Sequence, residues 1–202
     1  MSYGRQSASR LNPIYVLIGV NLVILIVTFF NESVIFSRFG LIPVLVGSEP
    51  WTLFTYMFVH AGLWHLIGNM ITLYFFGIYV VALVGETSFL ITYFVGGLVG
   101  GLFFFLLSPL LGTTYSVCVG ASGAIYALGG VLVAMVPKVK VYTLPIPIPL
   151  PLWVVIVFGF LITMLLSLEV SSINVAWQAH LGGLIYGLAV GYYFRRRRQR
   201  RY

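Results

Sequence analysis

One serine, two histidines and an asparagine stand among apolar residues at spacings that could do chemistry. Ser122 sits in Gly120-Ala121-Ser122-Gly123-Ala124. His180 sits in Ala179-His180-Leu181-Gly182-Gly183. His65 precedes Asn69 by one helical turn. A serine hydroxyl is a poor nucleophile until a neighbouring base accepts its proton, and imidazole suits that task near neutral pH. The oxyanion formed by attack on a carbonyl needs preorganised donors. The Ser122 N–H at a helix start, His65 and the Asn69 amide are candidates. The chain has no aspartate, and no glutamate falls at the same depth, so a Ser-His dyad is the most it can assemble.

Each residue also has a plainer use. Serines in membrane helices bond back to a carbonyl one turn earlier or let two helices pack. A lone intramembrane histidine can bond across helices, as can His65 and Asn69. His60 is five residues from His65, off its helical face, and reads as structural or solvated. No metal or other cofactor is expected. The three histidines lack a His-Glu-x-x-His pattern and a nearby carboxylate. The single Cys118 excludes an intramolecular disulfide and reads as a small packed residue.

The elements that would carry these residues are apolar helices. Of 202 residues, 60% are hydrophobic and 7% charged, with a mean hydropathy of +1.06. That is the composition of an all-α polytopic membrane protein. The net charge of +7 does not imply nucleic acid, because the basic residues cluster at the chain ends and in one loop. Six spans are expected within residues 13–194: Pro13–Phe30, Leu63–Val84, Ser88–Leu107, Gly120–Val136, Pro151–Leu168 and Ala176–Phe194. Residues 1–12 and 195–202 read as cytoplasmic tails, the second basic. Residues 31–62, with Trp51, Phe54, Tyr56 and Phe58, read as a segment at the membrane interface. Ser108-Pro109 should end the third span. Pro145-Ile146-Pro147-Ile148-Pro149 should form polyproline II, and residues 169–175 a polar turn.

With both termini inside the cell, the inner segments hold Arg5, Arg10, Lys138, Lys140 and six C-terminal arginines, and the outer ones only Arg38. The positive-inside rule then sets the orientation in a cell membrane. Spans 2, 4 and 6 run from outside to inside. Asn69, Ser122 and His180 lie 17, 16 and 15 residues before Glu86, Lys138 and Arg195. At about 1.5 Å per residue, all three sit some 22–26 Å from the inner boundary. Lys138 and Lys140 are at the opposite face, which excludes a Ser-Lys dyad. Gly96 and Gly100, Gly123 and Ala127, and Gly183, Gly187 and Gly191 recur at four-residue spacing. Such faces let helix backbones approach, and spans 4 and 6 should touch.

His65-x-x-x-Asn69, Gly120-x-Ser122-Gly123 and Ala179-His180-x-x-Gly183-x-x-x-Gly187, in this order and on these spans, resemble the rhomboid intramembrane serine proteases. The resemblance covers residues 13–194. It implies that Ser122 is the nucleophile and His180 the base, with His65, Asn69 and the Ser122 backbone as the oxyanion hole. It also implies that Tyr126 packs on the catalytic histidine, that Gly120 is the glycine before the nucleophile, and that 31–62 and 169–175 are the embedded first loop and a mobile loop. Many family members carry Trp-Arg in the first loop. Here it is Trp51-Thr52, so that loop must rest on other contacts.

Three function classes compete. The first is an endopeptidase cutting single-span membrane proteins near the outer face, with substrate entering past span 5. In that case trimming Trp153 or Phe158 should speed entry. The second is a non-catalytic rhomboid-like protein that binds membrane clients. The third, a small transporter, should show internal repeats and midplane ionisable sites, and the sequence has neither feature.

Overall fold

The computed structural model describes residues 12–143, 146–169 and 176–200. Among the described residues the fold is all-α, with eight α-helices and one short pair of strands. Helix α1 (Pro13–Phe30) begins with proline at its first position and Asn12 as cap, whose Oδ1 accepts from Ile14 N–H at 3.0 Å. Its buried face, Ile14, Leu17, Asn21, Leu25 and Thr28, repeats every three or four residues. Asn21 Nδ2 and Thr28 Oγ1 donate back to the Leu17 and Ile24 carbonyls at 2.8 Å, which gives each donor a partner inside an apolar helix.

The segment after α1 is folded. Helices α2 (Glu32–Phe39) and α3 (Thr52–Thr55) and two 3-10 turns, Pro43–Leu45 and Tyr56–Phe58, are tied together. Arg38 and Glu49 pair at 2.6 Å. Trp51 Nε1 donates to the Arg38 carbonyl at 2.8 Å, and Thr55 Oγ1 to that of Phe39 at 2.8 Å. These are the contacts on which a loop with Trp51-Thr52 rests.

Helices α4 (Leu63–Val84), α5 (Glu86–Leu111), α6 (Ser122–Met135), α7 (Leu152–Glu169) and α8 (Trp177–Gln199) complete the bundle. Among the described residues, α1, α4 and α5 are long and apolar enough to cross a membrane on their own. Helix α6 is short and buried nearly all round, through Gly123, Ala124, Ile125, Ala127, Leu128, Gly129, Gly130, Val131 and Leu132. A helix apolar on every side belongs at the centre, and α4, α5, α7 and α8 surround it. The small-residue faces of α5, α6 and α8 do meet. A Cβ on Gly183 or Gly187 would overlap the carbonyls of Gly123 and Ala127, and one on Gly100 would stand 2.7 Å from the Ala179 carbonyl. Backbone lies on backbone, so no side chain separates α6 from α8.

Three boundaries differ from the sequence expectations. Helix α5 runs through Pro109 to Leu111. The proline cannot donate to the carbonyl four residues back, and Ser108 Oγ donates to that Phe105 carbonyl instead, at 2.8 Å. The helix ends at Gly112, whose φ of +67° is left-handed. The proline-rich connector is an antiparallel pair, β1 (Lys140–Thr143) with β2 (Ile146–Pro151), and not polyproline II. Pro149 and Pro151 stand opposite Tyr142 and Lys140, with their missing N–H groups on the edge turned away from β1, and Leu152 N–H next along the strand donates to the Val139 carbonyl at 2.8 Å. Finally, α8 continues through Arg195–Arg198 to Gln199. Cations suit a helix C-terminus, and Arg196 and Arg197 lie over the Tyr192 and Tyr193 rings, 4.8 and 5.6 Å from the centroids. The turn expected at 169–175 lies outside the described residues beyond Glu169.

Candidate active site

The site begins at the N-terminus of α6. The strand-like segment before it is fixed by Leu41 and Cys118, which exchange backbone hydrogen bonds of 2.9 Å, and by Gly120 N–H, which donates to the Tyr56 carbonyl at 3.0 Å. Gly120 has φ +117°, and a Cβ there would stand 2.7 Å from His65 Cε1 and 2.8 Å from Nε2. Both facts require glycine. Two residues later Ser122 is the first residue of α6, so its N–H has no carbonyl one turn earlier to bond.

Across the glycine seam, His180 of α8 places Nε2 2.7 Å from Ser122 Oγ. His180 is buried, and its Nδ1 has no partner among the described residues. The imidazole plane is held instead by Tyr126, one turn along α6. The two rings stack at 4.5 Å between centroids and 21° between planes. Phe160 of α7 meets the same tyrosine edge-on at 6.4 Å.

His65 and Asn69, on one face of α4, border Gly120 from the other side. Ala61 N–H donates to His65 Nδ1 at 3.3 Å. A nitrogen that accepts cannot hold the proton, so the neutral ring carries it on Nε2, the atom beside Gly120. Asn69 Nδ2 donates to the His65 carbonyl at 2.8 Å, which leaves its second N–H uncommitted. Nδ2 also lies within 3.9 Å of where a Gly120 Cβ would be. His60 is fully buried, not solvated. Its ring meets His65 edge-on at 5.1 Å, and its Nδ1 lies 3.3 Å from the Phe58 carbonyl. Burial, with His65 alongside, pushes the His60 pKa down to about 3, so it is a neutral wall behind His65.

A cavity of about 610 Å³ lies between α4, α6, α7 and α8. Ser122, His180, His65, Asn69 and Tyr126 all border it, as do Val155, Ile156, Gly159 and Thr163 of α7. Trp153 and Phe158 do not; both are exposed on the outer side of α7. Among the residues that seat α7 are Leu152 and Ile156, both buried, the second against Gly129. Tyr56 is a further residue of consequence. The sequence reads it as one interfacial aromatic among several, yet it is buried. Its hydroxyl donates to the Gly97 carbonyl at 2.7 Å, and its carbonyl holds Gly120. The sequence signal is the room left by Gly100, Gly101 and Gly123, which does not say which ring fills it.

A hydroxyl on an imidazole nitrogen, a free helix N-terminal N–H and two side-chain donors converging on one glycine make an arrangement suited to acyl transfer. Residues 47–197 match the model of the Rhomboid domain. The chain is 30% identical over 158 residues to YdcA, a rhomboid relative from Bacillus subtilis, covering 78% of this chain and 74% of that one. It is 31% identical to RHOMBOID-like protein 1 of Arabidopsis thaliana, over 72% of this chain but 35% of the relative. Against Rhomboid protease GluP of Bacillus subtilis the identity is 30%, over 71% of this chain and 26% of GluP. Over three quarters of its length, and with apolar helices fit for a multi-pass membrane protein, the chain belongs to the rhomboid family.

Proposed function

We propose that the chain is an intramembrane serine endopeptidase that cuts single-span membrane proteins near the outer face of the cell membrane. The observation that carries this reading is the 2.7 Å approach of Ser122 Oγ to His180 Nε2, in a chain whose relatives include a named rhomboid protease. In this reading Ser122 Oγ attacks the scissile carbonyl carbon while His180 Nε2 takes the hydroxyl proton. The carbonyl π pair moves to oxygen, and the oxyanion is met by the Ser122 N–H, His65 Nε2–H and Asn69 Nδ2–H. Collapse expels the amine, which leaves with the proton from His180. Water, activated by the same nitrogen, then hydrolyses the acyl-serine and restores both side chains. No carboxylate takes part; Tyr126 orients the imidazole.

Six spans with both ends in the cytoplasm place the site in the outer part of the bilayer. A substrate helix must unwind there, because its carbonyls are bonded to its own amides. Unwinding in lipid is costly, so cleavage falls at the outer end of the span. Entry past α7 follows from its sparse packing against the bundle.

The competing reading is a rhomboid-like protein that binds clients without cutting them. A fluorophosphonate probe separates the two. Labelling of Ser122, lost in Ser122→Ala and in His180→Ala, together with cut products from a single-span substrate panel by mass spectrometry, supports the protease. A folded wild-type protein that neither labels nor cuts is a client binder.

A further inference from the structure

A second cavity lies at the opposite end of the bundle. It measures about 690 Å³ and is bordered by Ala82 at the end of α4, Ser88 in the first turn of α5, Met135 closing α6, and Phe194, Arg197 and Arg198 on α8. Its lower wall is apolar and its rim carries two guanidiniums. Among the described residues the single ion pair is Arg38–Glu49, so neither arginine has a carboxylate partner. Arg197 is held over the Tyr193 ring, which leaves its guanidinium edge free to donate. Ser88 brings the start of a 26-residue helix, where N–H groups lack carbonyl partners and favour an anion. Glu86, on the same turn, is exposed and does not line the cavity.

We propose that this cavity binds the headgroup of an anionic phospholipid, with its phosphate on Arg197 and Arg198 and its glycerol region on Ala82, Met135 and Phe194. A free phosphate would satisfy the arginines and leave the apolar wall unfilled. A lipid fills both, and the position is where helices leave the bilayer, marked by the exposed rings of Tyr192 and Tyr193. Basic pockets between helix ends suit such headgroups. The proposed orientation enters only in naming the inner leaflet as the source of the lipid. Proteolysis is not read out, so its failure and that of the protease reading are separate.

The test is native mass spectrometry of the full chain in a neutral detergent, titrated with dioleoyl-phosphatidylglycerol, dioleoyl-phosphatidylcholine or sn-glycerol 1-phosphate. One phosphatidylglycerol should be retained per chain and no phosphatidylcholine. Arg197→Gln with Arg198→Gln should weaken retention about tenfold or more. Ala82→Trp, which fills the wall and keeps every charge, should do the same. Arg196→Gln with Arg200→Gln removes equal charge outside the cavity and should change retention less than about threefold. Equal loss in that control pair would overturn the site in favour of a diffuse basic tail. Equal retention of phosphatidylcholine, or displacement by glycerol phosphate at the concentration of the lipid, would also overturn it.

Discussion

Gly120→Ala is the substitution whose outcome follows most directly from the geometry. Alanine would have to adopt φ +117° and put its Cβ 2.7–2.8 Å from His65 Cε1 and Nε2. The backbone strain is about 1–3 kcal/mol, roughly 2–12 °C in thermal midpoint for a chain of this size. The clash falls on an imidazole ring rather than on the loose end of a side chain. His65 therefore moves, and its Nε2–H leaves the oxyanion. One lost donor among several costs up to about 3 kcal/mol, or roughly 10²-fold in turnover. Cleavage of a fluorogenic single-span substrate gives kcat, and a melting curve in the same detergent gives stability. The decisive comparison is with His65→Ala alone and with the double variant. Once the ring is gone there is nothing to displace, so Gly120→Ala should cost little further turnover in the His65→Ala background while still lowering the midpoint. Wild-type kcat in Gly120→Ala, or fully additive losses in the double variant, would refute the link from Gly120 through His65 to the oxyanion.

Asn69→Ala should lower kcat by up to about 10²-fold with little change in KM; an unchanged kcat returns the amide to bonding the His65 carbonyl. Ile156→Ala should loosen α7 and raise kcat/KM for a single-span substrate but not for a short soluble peptide, and equal effects on both would locate the change at the chemistry instead of at entry. Tyr56→Phe removes the hydroxyl on the Gly97 carbonyl and should cost about 1 kcal/mol of stability while leaving fluorophosphonate labelling intact; complete loss of labelling would show that the hydroxyl does more than pin the first loop.

The membrane class, most helix limits and the meeting of Ser122 with His180 were legible because each rests on a one-dimensional signal. Apolar length marks a helix, and residue counts to a charged boundary mark depth. Four-residue glycine spacing marks a close seam. The features that were not legible depend on partners distant in sequence. Ser108, which takes the carbonyl that Pro109 leaves free, is the local exception; that Pro149 and Pro151 stand on the outer edge of a two-stranded pair depends on the pairing with β1. Burial of His60 and Tyr56 could not be read either, since aromatic and amphipathic residues at a membrane surface look the same whether they face lipid or fold inward. Trp153 and Phe158 drew attention as large residues on α7, but which face of an all-apolar helix turns to the bundle is set by Gly129 and Tyr126 on another helix.

The seam between α6 and α8 bears on how such a molecule can diverge. Ser122 and His180, the proposed nucleophile and base, stand on two helices locked peptide plane to peptide plane, where almost any added carbon atom would collide. Their relative placement therefore owes little to side chains that mutation could exchange. Helix α7 has the opposite character, since its outward residues can change without disturbing either reactive atom. If the proposed protease reading holds, chemistry and client choice are written on separate parts of the chain: new substrates would be acquired by drift along α7, while the reaction would stay where the glycines hold it.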